Sequence, residues 1–287
     1  MPFRKIVVTG AAGRLGQAAI AELMTYGHGV WGIDQVRPDP LRCRFLPVDL
    51  TQPAAVYDVL QGADAVLHLG AIPGPQSQPA SVTFLNNVQS TYHVVEAAAA
   101  LGIPRFVNAS SVFALGWAEA PDAYWPQSVP VDESHRLTPF EAYGLSKLIS
   151  EDICSTVSRR TQMSTVSLRL MNIIAPDGYF AFPWPRPTRK LALRFVMWPY
   201  VDLRDAARAC RLALEAETTG HEACYIAARD TRFDTPTVEL LQELAPAELK
   251  ITRPLPDFSS VINTEKARRI LGFEPEHSWR MYVSAGR

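Results

Sequence analysis

Short runs of apolar, mostly β-branched residues alternate with longer helical patterns along the first two thirds of the chain. Six of these runs are typical of buried strands, and three longer segments have apolar positions at helical spacing. This alternation predicts an α/β fold with a doubly wound parallel sheet that is covered by helices on both faces. The strands are expected at residues 5–10, 29–34, 44–49, 65–70, 105–110 and 164–170, and the helices at 14–27, 79–101 and 139–160.

The pattern changes after Asn172. Residues 175–199 are crowded with proline, aromatic and basic side chains and have no sustained periodicity, which is typical of a loop-rich region. A helix at 202–217, a strand near 223–227, a helix near 235–244 and a last helix in TEKARRILGF are expected to follow. We predict a sheet domain at 1–172 and a small C-terminal lobe at 173–287, from which a segment at about 200–217 returns to the sheet domain.

Composition narrows the range of partners. Of the 287 residues 47% are hydrophobic, and 28 basic against 29 acidic residues leave a formal net charge of -1. This balance offers no excess positive charge to a polyanion, so nucleic acid is not an expected partner. No apolar run approaches the roughly 18 residues that a membrane span needs, and the N-terminus runs directly into a strand with no signal peptide. Neither a membrane nor a secreted location is expected.

The spacing of cysteine and histidine gives no metal site and no disulfide framework. The four cysteines are far apart and form no CxxC pair, which favours reduced thiols and a cytoplasmic location. The six histidines lack the spacing of metal ligands, so no metal is expected. These residues are Cys43, Cys154, Cys210 and Cys224, and His28, His68, His93, His135, His221 and His277.

A glycine-rich turn, TGAAGRLG, directly follows the first strand and opens the first helix. Gly10 permits the tight turn, Gly13 lets the backbone approach a pyrophosphate, and Gly16 allows close helix packing. The first helical residues, Arg14 and Leu15, add backbone N–H donors for the anion. We therefore expect the sheet domain to be a Rossmann-type domain that binds NAD, and the C-terminal lobe to bind the substrate.

Carboxylates end the second and third strands. Asp34 is placed to accept hydrogen bonds from the adenosine ribose and to repel a 2′-phosphate, which favours NAD. NADP stays open as an alternative, because the guanidinium of Arg14 or Arg37 can pair with a 2′-phosphate. Asp49 and Leu50 are expected to meet the adenine edge, with a helix cap as the alternative role of Asp49.

Three polar side chains suggest the chemistry. Tyr143 and Lys147 are four residues apart on a predicted helix and so project from one face. An ammonium one turn away stabilises a phenolate, which makes a tyrosine usable as a base. Ser111 follows the fifth strand at the carboxyl edge of the sheet, where it can hydrogen-bond the reacting oxygen.

Together these motifs resemble the extended short-chain dehydrogenase/reductase family, which holds NAD-dependent sugar epimerases, dehydratases and dehydrogenases. The resemblance covers nearly the whole chain, and the motifs occur in the family's order. They are TGAAGRLG, Asp34, VLHLGA, NNVQSTYHVVEAA, ASSVFALG, YGLSK, SLRLMN, YVDLRDAARACRLAL and INTEKARRILGFEP.

The resemblance implies a role for each site residue. Tyr143 is the catalytic acid or base, Lys147 lowers its pKa and holds the nicotinamide ribose, and Ser111 polarises the substrate oxygen. Asn87 and the backbone of Leu69, Gly70 and Ala71 would line the cofactor, and Asn172 would lie in the substrate pocket. The resemblance also implies a homodimer.

The length of the C-terminal lobe suggests the substrate class. Only about 28 residues separate Asn172 from Val201, which is short for holding a nucleotide and resembles the uronate dehydrogenases and related small-sugar dehydrogenases. An anionic sugar needs a cation, and Arg194 lies nearest to the position of a carboxylate-binding arginine in those enzymes. A dehydratase is disfavoured, because Val112 and Phe113 stand where it needs an Asp-Glu pair. A nucleotide-sugar epimerase and a non-catalytic NAD-sensing protein stay open as alternatives.

Overall fold

The computed structural model describes residues 1–40, 42–116, 125–186 and 198–283. The strands are β1 (Ile6–Thr9), β2 (Val30–Asp34), β3 (Arg44–Pro47), β4 (Ala65–His68), β5 (Arg105–Ser111), β6 (Ser128–Val129), β7 (Ser164–Leu170), β8 (Asn172–Ile174), β9 (Tyr200–Asp202), β10 (His221–Ile226) and β11 (Lys250–Ile251). The α-helices are α1 (Arg14–Thr25), α2 (Pro53–Leu60), α3 (Ala80–Ala100), α4 (Ala142–Arg160), α5 (Leu203–Glu215), α6 (Thr237–Leu244) and α7 (Glu265–Leu271). Short 3₁₀ segments lie at Val112–Leu115, Pro176–Ala181 and Trp279–Met281.

Seven parallel strands form the central sheet, in the order β10-β7-β5-β4-β1-β2-β3. The order reverses between β1 and β4, which confirms the doubly wound, Rossmann-type α/β fold. The sheet has one strand more than the six that the apolar runs predict. The extra strand is β10, which the sequence places in the C-terminal lobe and which pairs along its length with β7. Its apolar pattern predicts a strand but carries no information about the pairing partner.

Both faces of the sheet are buried. Alternate residues of one strand enter opposite cores: Ile6 and Val8 of β1 pack on the side of α1 and α5, whereas Val7 packs on the side of α2, α3 and α4. This two-sided burial explains why the strands read as continuous apolar runs rather than as alternating patterns. Two minor sheets, β8 with β9 and β6 with β11, lie outside the central sheet.

The element boundaries differ slightly from those predicted, for local reasons. Helix α4 begins at Ala142 and not at 139, because the carboxylate of Glu141 caps its first turn. Helix α2, which the sequence pattern leaves unassigned, is only eight residues long and has proline at its start. In the described ranges, no helix combines the length and the apolarity that crossing a membrane requires.

A chain of hydrogen bonds crosses the core beneath the first strand. The Thr9 hydroxyl oxygen accepts from the Gly70 N–H, so its proton is available to Nδ1 of His68 at 2.8 Å. Nε2 of His68 then donates to Thr91 Oγ1 at 3.1 Å, and the Thr91 hydroxyl donates to the Asn87 carbonyl at 2.8 Å. Both ring nitrogens are satisfied only by the neutral imidazole with its proton on Nε2. Burial, reinforced by the positive charge of Lys147, lowers the pKa of His68 to about 3.

We predict that this histidine makes folding sensitive to acid. Below its ordinary pKa of 6.5 the unfolded chain binds a proton that the folded protein excludes, so stability is lost as the pH falls from 6.5 towards 3. The stability advantage of the wild type over His68→Gln should shrink by about 1.4 kcal/mol per pH unit below that value. Urea titrations of both proteins at several pH values measure the difference. A constant difference would contradict the neutral imidazole.

Candidate active site

A cleft of about 1060 Å³ opens at the carboxyl ends of the central strands, where the strand order reverses. Open α/β sheets bind their ligands at this point. Most of the predicted site residues line the cleft, although they come from distant parts of the sequence. They are Gly10, Gly13, Arg14, Leu15, Gly16, Asp34, Asp49, Leu50, Leu69, Gly70, Ala71, Ser111, Tyr143, Lys147 and Asn172.

The glycine-rich turn exposes the start of α1 to the cleft. Its N-cap residue, Gly13, has no side chain to occupy the free N–H groups of the first turn. Those donors and the positive end of the helix dipole fit the pyrophosphate of a dinucleotide. A Cβ on Gly16 would lie 2.1 Å from the Gly10 carbonyl oxygen, so any other residue there would displace the turn.

Asp34 ends β2 beside this turn. One carboxylate oxygen accepts from the Ala12 N–H at 3.0 Å, and the other accepts from the Gln35 N–H at 2.7 Å. The carboxylate therefore holds the glycine-rich turn in place while it lines the cleft. A ribose diol at this position would meet a fixed acceptor, and a 2′-phosphate would meet a negative charge.

Asp49 follows the neighbouring strand β3, lines the cleft and forms a local turn with Thr51. Its Oδ1 accepts from the Thr51 N–H at 2.9 Å and from the Thr51 hydroxyl at 2.8 Å, and these bonds lower the pKa of the carboxyl group. The N-cap of α2 is Gln52, so Asp49 does not cap that helix.

Asn87 does not line the cleft. It is 2% exposed and holds the wall from behind, because Oδ1 accepts from the Ile72 N–H at 2.8 Å and Nδ2 donates to the Ile72 carbonyl at 3.0 Å. Where the sequence predicts a cofactor contact, the structure places a support for the loop that follows β4.

The N-terminal end of α4 presses against the segment that follows β5. Carboxylate oxygens of Glu141 accept from the N–H groups of Tyr143 and Gly144 at 2.5 and 2.6 Å. A Cβ on Gly144 would lie 2.4 Å from the Phe113 carbonyl oxygen, so only glycine permits this approach. The Phe113 ring consequently meets the Tyr143 ring edge-on, with centroids 5.6 Å apart.

This packing brings Ser111, Tyr143 and Lys147 together. Burial raises the pKa of Tyr143, and a hydrogen bond with Ser111 partly offsets that rise. The Lys147 ammonium lies 5.6 Å from the centroid of the Tyr143 ring and donates to the Ala109 carbonyl at 2.7 Å. Burial lowers the pKa of Lys147 to about 8, so the ammonium is charged at neutral pH. The arrangement can hold an oxygen between two hydroxyls and place a positive charge beside the phenol.

The substrate side of the cleft is only partly described. Asn172 lines it and pairs with Tyr200 in the small sheet of β8 and β9. Arg194, the predicted carboxylate ligand, lies outside the described residues. Arg186, another cation of the same basic segment, is paired with Glu239 and Glu243 at 2.9 and 2.5 Å.

Several other residues, which the sequence does not predict as site residues, line the cleft. They come from the loop after β4, from α3, from the 3₁₀ segment after β5 and from the chain around the end of β7. They include Pro73, Gly74, Val82, Asn86, Ser90, Phe113, Leu170, Met171 and Ile173.

Residues 6–227, more than half of the chain, match the model of the NAD dependent epimerase/dehydratase family. The chain belongs to this family. Membership confirms the resemblance to extended short-chain dehydrogenases/reductases that the motifs indicate.

Two of the similar proteins have names that give an activity on a sugar or a nucleotide sugar. The uronate dehydrogenase of Pseudomonas syringae pv. tomato is 29% identical over 227 residues, which cover 78% of this chain and 74% of the relative. The UDP-glucose 4-epimerase of Corynebacterium glutamicum is 26% identical and covers 96% of this chain and 92% of its own. A solved short-chain dehydrogenase/reductase superfamily protein from Agrobacterium tumefaciens with bound NAD is 25% identical, with a TM-score of 0.71 over 96% of this chain and 94% of that one.

Family and relatives identify the chain as an enzyme that uses NAD. It is an NAD-dependent oxidoreductase of sugars or sugar derivatives.

We predict that Asp34 sets the choice between NAD and NADP. Asp34→Ala should reduce the ratio of NAD affinity to NADP affinity by about tenfold, because it removes both the ribose acceptor and the charge that repels a phosphate. Asp34→Asn is the matched control, since it keeps an acceptor for the Ala12 N–H and loses only the charge. Dissociation constants from calorimetry measure both variants, and an unaltered ratio in both would show that Asp34 does not meet the ribose.

Proposed function

We propose that this protein is a dehydrogenase that oxidises a hydroxyl group of a small, free or singly charged sugar. The observation that carries the proposal is the grouping of Ser111, Tyr143 and Lys147 at the cleft that also holds the glycine-rich turn. A proton acceptor and a dinucleotide site in one cleft are what alcohol oxidation with NAD requires.

In this mechanism the substrate hydroxyl lies between Ser111 and Tyr143. Tyr143 takes the hydroxyl proton, Ser111 donates a hydrogen bond to the reacting oxygen, and the Lys147 ammonium stabilises the phenolate. NAD bound in the same cleft would supply the hydride acceptor, so that the carbon that carries the hydroxyl loses its hydrogen as hydride and the alcohol becomes a carbonyl. The burial that raises the pKa of Tyr143 would be offset by the cation beside it.

The remaining site residues belong to the same proposal. Residues 1–172 form the NAD-binding domain, and the lobe at 173–287 binds substrate and returns to that domain a segment at about 200–217, which β10 follows into the central sheet. The cofactor contacts are Gly10, Gly13, Arg14, Leu15, Gly16, Asp34, Asp49, Leu50, Leu69, Gly70, Ala71, Tyr143 and Lys147, with Asn87 acting on them through Ile72. Ser111, Asn172 and Arg194 contact the sugar.

A small substrate is favoured by the short connection between β8 and β9. About 28 residues separate Asn172 from Val201, which leaves little chain for gripping a nucleotide. The 29% identity with a uronate dehydrogenase supports the same substrate class and makes uronates the first candidates.

Epimerisation of a nucleotide sugar is the second candidate. It uses the same Ser111, Tyr143 and Lys147 but returns the hydride to the sugar, so NAD is regenerated within each turnover. The similarity to a UDP-glucose 4-epimerase over 96% of the chain favours it. A non-catalytic NAD-sensing role is weakened by the presence of both the tyrosine and the lysine.

Release of NADH distinguishes the candidates. Purified protein and NAD are incubated with free aldoses, uronates, sugar phosphates and nucleotide sugars. We expect NADH to appear with a free or singly charged sugar, and Tyr143→Phe, the matched control, should lose this activity by a factor of 100 or more, on the order of a general base's contribution, while its affinity for NAD is retained. A product isomer formed from a nucleotide sugar without net NADH would favour the epimerase. Undiminished turnover in Tyr143→Phe would overturn the mechanism.

The surface of α3 and α4 supports a homodimer as the state of this enzyme. Leu85 and Tyr92 are 62% and 51% exposed and lie two helical turns apart on α3, and Leu145 on α4 is 40% exposed. Exposed apolar side chains on adjacent helices favour burial against a second copy.

We predict that the protein is a homodimer and that Leu85, Tyr92 and Leu145 lie in its interface. Light scattering should give twice the chain mass for the wild type, and one chain mass for the double variant Leu85→Glu and Tyr92→Glu, because burying the new carboxylates is costly. Phe180→Glu, at a residue that is 79% exposed on the other lobe, is the control and should leave the mass unchanged. A monomeric wild type would refute the dimer.

The proposed location is the cytoplasm. All four cysteines are free thiols, and three of them are buried. Free thiols suit a reducing compartment.

A further inference from the structure

Three consecutive residues of β5 face three residues of α4 that are spaced one helical turn apart. Ser111 lies beside the Tyr143 phenol and lowers its pKa, and the Ala109 carbonyl accepts a hydrogen bond from Lys147. Between them Ser110 donates to Oε1 of Glu151 at 2.5 Å. The first two contacts belong to the catalytic groups described above, and the third has no assigned role.

Glu151 is also half of a buried ion pair. Arg169 of β7 donates from Nε to one carboxylate oxygen at 3.0 Å and from Nη2 to the other at 2.9 Å. Glu151 is 5% exposed and Arg169 is 7% exposed, and Arg169 lies directly opposite Ser110 in the pairing of β5 with β7. Burying two charges is costly even when they are paired, so this pair is poorly explained by stability alone.

The surroundings of Lys147 contain few other charges. On α4 the titratable neighbours are Tyr143, whose pKa burial raises, and Cys154, whose thiol burial also keeps uncharged. β4 contributes the neutral imidazole of His68. β5 contributes the Ala109 carbonyl and the side chains of the adjacent asparagine and serines, none of which carries a charge.

The other neighbours of this part of α4 are also uncharged. α3 presents Asn87 to Ser146, and the 3₁₀ segment presents Phe113 to Tyr143. Among the described residues near Lys147, the Glu151 carboxylate is therefore the anion and Arg169 is the nearest additional cation. Burial lowers the pKa of Lys147, and Cys154 and then Glu151 oppose that decrease. Because burial keeps the Cys154 thiol protonated, the negative charge among these two comes from Glu151.

We propose that Glu151, held by Arg169 and Ser110, is a positioning residue that keeps the Lys147 ammonium charged and fixes the end of β5 against α4. The proposal rests on the proposed function in one respect, namely that Lys147 and Tyr143 carry the catalysis. Arg169 limits the effect of Glu151, because its positive charge acts on Lys147 in the opposite direction. The pair thus sets the charge balance behind the catalytic lysine without touching the substrate.

The pKa of Lys147, followed by NMR of lysine labelled with ¹³C at Cε, tests the proposal. The variants are Glu151→Gln, Arg169→Gln and the double substitution, each checked for folding by circular dichroism. Glu151→Gln should lower the pKa of Lys147 by about one unit, Arg169→Gln should raise it, and the double variant should return it close to the wild-type value. If one single variant fails to fold, the pKa of Lys147 in the other single variant and in the double variant still tests the proposal. The double variant is expected to fold, because loss of both charges is better tolerated than loss of one.

Glu22→Gln is the matched control. Glu22 accepts from the buried Arg211 at 2.8 Å, between α1 and α5 and outside the cleft, so its substitution should leave the pKa of Lys147 unchanged. The same pKa in every folded variant at residues 151 and 169 would overturn the proposal.

Kinetics separate this proposal from the proposed function. As the pH is raised, the activity of Glu151→Gln should decline at a lower pH than the activity of the wild type, because Lys147 of the variant loses its proton at a lower pH. If the pKa of Lys147 is the same in all variants and Tyr143→Phe is inactive, only the positioning role of Glu151 is refuted. If Tyr143→Phe keeps full activity, the proposed function is refuted, whatever pKa values Lys147 has in the variants.

Discussion

A parallel sheet that is buried on both faces can present reactive groups only where its strands end. Seven strands run in one direction here, and helices cover both sides. The order of the strands reverses between β1 and β4, so the connections diverge there and leave a cleft. Every element of the active site follows from this constraint. The glycine-rich turn, Asp34, the loop after β4 and Ser111 all lie at carboxyl ends of strands, whereas Tyr143 and Lys147 reach the cleft from helix α4.

Hydrogen bonds between polar groups in the apolar core fix the positions of residues at the carboxyl edge of the sheet. The chain from Thr9 through His68 and Thr91 reaches Asn87, whose side chain fixes Ile72 in the wall of the cleft. The contacts between β5 and α4 fix Tyr143 and Lys147 in the cleft. Buried hydrogen bonds of this kind are directional, so they determine positions that apolar packing alone leaves free. The enzyme therefore places its most demanding polar interactions directly behind its reactive groups.

The sequence predicts features that depend on neighbours along the chain. The glycine-rich turn and the pair of Tyr143 and Lys147 each lie within eight residues, so spacing alone indicates their geometry. The acceptor role of Asp34 follows from its place at the end of a strand. Partners from distant segments leave no comparable pattern. The pairing of β10 with β7, the hold of Asn87 on Ile72 and the bonds of Glu151 with Ser110 and Arg169 depend on tertiary contacts, and so could not be predicted. The basic residues within 175–199 show the same limit. Their composition suggests a pocket for an anion, whereas Arg186 pairs with Glu239 and Glu243 of α6.

The segment after Ser111 also constrains what this scaffold can evolve into. Val112 is 1% exposed, and Phe113 supports both Gly144 and the ring of Tyr143. Acidic side chains introduced there to eliminate water from a sugar would be desolvated against apolar neighbours, and the contact that positions the tyrosine would be lost. A change of chemistry at these two positions would thus require α4 to be repacked first. Divergence of this lineage is easier through the loops at the rim of the cleft, whose sequence can change without disturbing the contact of α4 with β5.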